Sequence, residues 1–112
     1  MRKLISAALL SAANALPATA QWYSGGDLHQ KSLYDWSHAS ERNKLATAAD
    51  WYATAVGIEG VRRLGGLDRM RPKARQLVVC VDASVNGLQE SAARRVSASE
   101  AAASCMVLMG RS

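Results

Sequence analysis

A chain of 112 residues with a formal charge of +5 has room for one small domain and not for two. Its 49% hydrophobic content overstates the core it can build, because much of that share is alanine and phenylalanine is absent. Mild basicity permits an anionic partner without requiring one. No catalytic or metal-ligating constellation stands out, so the residues point to binding and not to an enzyme.

Residues 1–20 read as a secretory signal peptide. Arg2 and Lys3 form a positive start, residues 4–13 are uncharged and apolar, Pro17 breaks the run, and Ala18, Thr19 and Ala20 have the small-x-small form that signal peptidase accepts. The apolar run is shorter than the roughly 20 residues that cross a bilayer, which weighs against a transmembrane anchor. Cleavage after Ala20 leaves residues 21–112 as a single helical domain in a periplasmic or secreted location. Losing Arg2 and Lys3 lowers the formal charge from +5 to +3.

In the remaining chain, Trp22 and Tyr23 precede a turn at Ser24, Gly25 and Gly26. Asp27 is placed to cap a short helix through Trp36, with Leu28, Leu33 and Trp36 as its apolar contacts. After a break at residues 37–40, Ser40 can cap a longer helix. Its stripe is Leu45, Ala48, Ala49, Tyr52 and Val56, widened by Trp51 and Ala55. Gly57 and Gly60 weaken the far end, and Gly65 and Gly66 stop it.

Residues 65–71 then connect to a third helix with Pro72 in its first turn and Ala74, Leu77, Val78, Val81 and Val85 on one face. The apolar, β-branched run at residues 76–81 resembles a strand, but the stripe continuing to Val85 decides for a helix. Residues 88–96 are polar and without a clear stripe. Ser97 and Glu100 then form a capping box ahead of a fourth helix over residues 98–109. That helix is predicted to turn Ala101, Ala102, Cys105, Leu108 and Met109 inward. The fold class is therefore all-α, a small four-helix bundle-like domain behind a signal peptide.

Cys80 and Cys105 lie one on each of the last two helices. In an oxidising compartment an even pair in a short chain is normally joined. Their bridge closes a loop of about 26 residues, for which chain entropy gives roughly 3.5 kcal/mol. The competing states are two buried free thiols or a zinc site, and zinc lacks a second cysteine or histidine near either residue.

Four features are candidates for function. Arg62, Arg63, Arg69, Arg71, Lys73 and Arg75 fall within 14 residues with Asp68 as the one acid among them. They suit anionic envelope lipid or an acidic protein face; in an exported protein no nucleic acid partner is expected. Trp36, Trp51 and Tyr52, with Trp22, Tyr23 and Tyr34, can form a stacking platform or fill a core short of large side chains. His29 near Asp27, and His38 near Asp35 and Glu41, offer acid–base pairs without a nucleophile or oxyanion donor. The alanine-lined helical surface can pair with a second copy as a homodimer or receive an unfolded client.

An apparent leader, two cysteines, a tryptophan helix around Trp51 and a following helix carrying Leu77, Cys80 and Asp82 together resemble the small periplasmic acid-stress chaperones of the HdeA and HdeB type. That resemblance implies a helical bundle with one disulfide that loosens in acid and binds denatured clients on exposed apolar surface. Where that family carries its first cysteine, this chain has Ala46, Ala48 and Ala49. A second resemblance, to small helical immunity proteins that neutralise secreted cell-wall amidases, implies an inhibitor presenting residues 62–75 to an acidic partner. A structural envelope component is the remaining alternative. No cofactor is expected under any of these readings.

Overall fold

The computed structural model describes residues 21–110, and the signal-peptide reading of residues 1–20 lies outside them. The described chain is predominantly helical and has no strands. Its elements are α1 (Leu33–Ser37), α2 (Glu41–Leu64), α3 (Leu67–Asn86), α4 (Glu90–Ala93) and α5 (Ala98–Gly110). The all-α expectation therefore holds, with one more helix than the four predicted. The addition is the single turn α4, in the segment whose sequence showed no stripe.

α1 starts later than predicted. Ser32, not Asp27, caps it, accepting from the backbone N–H of Asp35. Asp27 is drawn away by α2: its N–H donates to Asn43 Oδ1 at 3.0 Å, and Asn43 Nδ2 donates back to its carboxylate at 2.7 Å. The N–H of Leu28 likewise donates to Thr47 Oγ1 at 3.3 Å. With its carboxylate held by Asn43 from α2, Asp27 is drawn away from the open N–H groups it would cap at a helix start there. This docking needs Gly26, where a Cβ would stand 2.4 Å from the Thr47 backbone nitrogen.

α2 begins at the predicted cap, with Ser40 accepting from the N–H of Asn43. It is kinked at Gly57, whose φ of 74° and ψ of 175° fall in a region open to glycine and essentially closed to other residues. The predicted weak point is thus a break in direction.

α3 begins immediately after the Gly65–Gly66 connection, so residues 67–71 are helical where a loop was predicted. Pro72 consequently lies inside the helix and not in its first turn. It has no N–H to offer the carbonyl four residues before it.

Between α4 and α5 the capping box is formed as expected. Ser97 Oγ accepts from the N–H of Glu100 at 3.1 Å, and the Glu100 carboxylate accepts from the N–H of Ser97 at 3.3 Å. Ser32 and Ser97 also form an isolated antiparallel bridge. It ties the start of α1 to the start of α5, with Leu33 N–H on Val96 O and Ala98 N–H on Lys31 O.

α2 and α3 pack against each other along the longest contact in the molecule, and α5 packs on α3. The predicted α3 stripe is the centre of the core. Ala74, Leu77, Val78 and Val81 are buried, Met70 extends the row, and Val85 packs at its edge. Leu28, Leu33 and Trp36 cover it from one side, Ala48 and Ala49 from α2, and Ala98, Ala102 and Cys105 from α5.

Two predicted core positions are corrected. Leu108 is 69% exposed, because Cys105 and Ala102 already fill the narrow side of α5 that meets α3. Ala55, expected to widen the α2 stripe, is also exposed, since the kink two residues later ends the contact there. The core residues run from Trp22 to Cys105, so the described chain carries its own interior.

A candidate binding face across three helices

The disulfide joins α3 to α5, Cys80 to Cys105, with the Cα atoms 5.9 Å apart. Cys105 is buried and Cys80 half-buried, so the bridge runs from the interior to the edge of an open groove. That groove, of about 540 Å³, is lined by Pro72, Arg75, Val79, Cys80, Ala83 and Met109. On the other side of Val79 lies a second groove of about 370 Å³, between α2 and α3, lined by Glu41, Arg42, Leu45, Arg75, Val78 and Val79. Val79 and Arg75 belong to both. The result is one grooved face across α2, α3 and α5, with Val79 as its ridge at 67% exposure.

The ridge follows from helical geometry. Val78 and Val81 point inward on α3, and Val79, one position on from Val78, is turned about 100° away. Among the described residues a valine there stays largely exposed.

Beneath the face lies a polar anchor that the sequence reading did not single out. Trp36 is fully buried, and its Nε1–H donates to Asp82 Oδ1 at 2.8 Å. The same oxygen accepts from Lys44 Nζ at 3.1 Å. Lys44, only 6% exposed, also reaches Glu41 at 3.3 Å and stands 5.9 Å from the Trp36 ring centroid. Trp51 stacks on Trp36 at 5.6 Å and 19°. Asp82 therefore satisfies a buried donor and a buried cation at once. The available signal was its position four residues after Val78 and three before Val85, on the flank of the α3 stripe.

The aromatic residues divide between packing and the edge of the fold. Trp36 and Trp22 are buried, while Trp51, Tyr52, Tyr23 and Tyr34 pack partly buried against the core. No open stacking platform forms from Trp36 and Trp51, whose faces cover each other. Trp22 donates from Nε1 to Asp68 Oδ1 at 3.2 Å and lies beneath Arg71, 5.4 Å from its guanidinium carbon. The chain's first described residues are thereby pinned to the start of α3.

The basic residues do not converge on a single pocket. Arg62, Arg63, Arg69, Arg71 and Arg75 are exposed and Lys73 is half-buried. Arg62, Arg63, Arg69 and Arg71 gather at the α2–α3 turn, whereas Arg75 belongs to the grooved face. Arg62 pairs with Glu59.

The histidines take different partners from those expected. His29 Nε2 lies 2.8 Å from Asp50 Oδ2, not against Asp27. His38 Nδ1 lies 2.9 Å from the Tyr34 carbonyl, not against Asp35 or Glu41. Both contacts are exposed; the first joins the segment before α1 to α2, and the second is local. Among the described residues no group of three or more His, Cys, Asp or Glu side chains is placed to hold a metal ion, and no helix is long and apolar enough to cross a membrane.

Comparison with protein-family models, with curated proteins and with solved structures finds no match for this chain.

Proposed function

We propose that this is an exported, non-enzymatic binding protein of the periplasm or extracellular space, with chaperone-like capture of unfolded clients as its activity. The observation that carries the reading is the grooved face. Two channels meet at an exposed valine ridge, one walled mainly by apolar side chains and the other by Leu45, Val78 and Val79 beside Glu41, Arg42 and Arg75, a shape that accepts an extended amphipathic segment laid across three helices. Arg75, shared by both channels, favours segments with a nearby carboxylate.

Acid raises the net positive charge of an already basic chain, and the self-repulsion that follows loosens a thin core. α5 stays attached throughout, because the disulfide is indifferent to protonation. The mature protein is added to an aggregating client at neutral pH and at about pH 2 to 3, and light scattering is followed. Suppression that strengthens in acid is the expected result, and a scattering trace identical to that of the client alone removes the proposal. Size measurement in the same buffers shows whether a homodimer separates as capture begins.

A second reading is an immunity or inhibitor protein. It is favoured by the exposure of Arg62, Arg63, Arg69 and Arg71 around one turn, where an acidic partner protein could seat. A pull-down at low and high salt tests it, since a charge-steered complex weakens with salt while capture on the grooved face does not.

A further inference from the structure

The α2–α3 turn carries a second surface, distinct from the grooved face and independent of the client-binding reading. Residues 58–64 leave the line of the first part of α2 at Gly57. With the start of α3 they enclose an apolar notch of about 450 Å³, whose walls include Ala53, Ile58, Val61 and Leu67. Ile58 is 77% exposed and Leu67 38%. Arg62 lines the notch, Arg69 lies against Gly65 in the turn, and Arg63 and Arg71, close by in sequence, are exposed.

Over residues 58–73 five cations face two carboxylates, a formal +3. Both carboxylates are already engaged, Glu59 by Arg62 and Asp68 by the indole of Trp22. The Arg69 stem lies over the turn itself, its Cγ 3.0 Å from where a Gly65 Cβ would sit, so its charge is carried at the apex.

We propose that this end of the molecule docks on the surface of an anionic phospholipid membrane. Ile58 and Leu67 enter the boundary between headgroups and acyl chains, and the guanidinium groups of Arg63 and Arg69 lie at the level of the phosphates. Exposed apolar side chains beside an arginine-rich turn are the arrangement that interfacial binding rewards, because apolar burial and attraction to anionic headgroups act together. Guanidinium also pairs with phosphate through two parallel hydrogen bonds. An acidic protein face would match the arginines but would leave Ile58 against charged groups.

The test uses the oxidised chain from Gln21 onward, which retains every residue of the buried core. Co-sedimentation is measured with phosphatidylcholine vesicles and with vesicles containing roughly 30% phosphatidylglycerol. Binding at least tenfold tighter to the anionic vesicles is expected, falling steeply as salt is raised. The double variant Arg63→Glu/Arg69→Glu should lose about tenfold and Ile58→Asn several-fold, both with an unchanged helical circular dichroism spectrum. Arg95→Glu, exposed elsewhere on the surface, should bind like the parent chain. Equal affinity for neutral vesicles, or vesicle binding unchanged in the double variant, overturns the proposal. Retention on soluble polyglutamate with no vesicle binding also overturns it, and assigns the turn to an acidic protein partner.

Discussion

The indole N–H of Trp36 and the carboxylate of Asp82 meet at 2.8 Å across 46 residues of chain. That one hydrogen bond joins the shortest well-buried segment of the fold, α1, to its central helix. Lys44 closes on the same oxygen from α2, so three helices converge on a single acceptor. Removing Asp82 leaves a buried N–H unpaired and the Lys44 ammonium with Glu41 alone. Asp82→Ala should therefore lower stability by about 2–3 kcal/mol. Asp82→Asn keeps an oxygen acceptor and loses only the charge, so about 1 kcal/mol is expected. Urea midpoints at constant slope measure both.

The Cys80–Cys105 bridge holds α5 against α3 by more than alanine contacts. Replacing both cysteines with alanine should cost about 3 kcal/mol by the loop-closure argument, and reduction of the parent chain should give the same midpoint. Thiol titration of protein recovered from its native compartment should find neither sulfur free. Two free thiols there would contradict the bridge.

Gly26 is required by contact and Gly57 by conformation. Gly26→Ala drives a methyl into the backbone of Thr47 and should destabilise by roughly 2 kcal/mol or more. Gly57→Ala meets no neighbour but must adopt the glycine-only region, at about 1–3 kcal/mol. Thermal unfolding separates them from Gly110→Ala, which meets no neighbour and has no positive φ.

Ser97 supplies the cap that starts α5. Ser97→Ala should cost about 1 kcal/mol, with the loss read as a lower urea midpoint. Ser97→Asp restores the acceptor and should recover most of it.

The grooved face should be separable from the fold. Val79 and Ala83 are exposed helical positions, so Val79→Gln/Ala83→Gln should change stability by no more than about 0.5 kcal/mol. Client capture, read as suppression of light scattering, should fall several-fold. Full capture by this folded variant would move the client surface elsewhere.

Much of the helical plan was legible in the chain, because it rests on local chemistry. The Ser40 cap, the Ser97–Glu100 box and the stripe from Ala74 to Val85 depend on neighbours three or four residues away, and all appear where periodicity put them. The pairing of Cys80 with Cys105 was expected from the number of cysteines and from the export that residues 1–20 suggest. What failed depended on distant contacts. Asp27 was a sound cap by type, but Asn43 from α2 takes its carboxylate while Asn43 and Thr47 hold the Asp27 and Leu28 amides against α2, and α1 starts at Leu33. Leu108 fitted an inward stripe, but only the docked position of α5 shows that Cys105 and Ala102 exhaust the contact. The grooves, the ridge at Val79 and the Trp36–Asp82–Lys44 anchor are likewise products of packing. Sequence spacing orders side chains around one helix axis, whereas which of those faces meets another helix is set by the angle and distance at which the axes pack, and those exist only once the chain has folded.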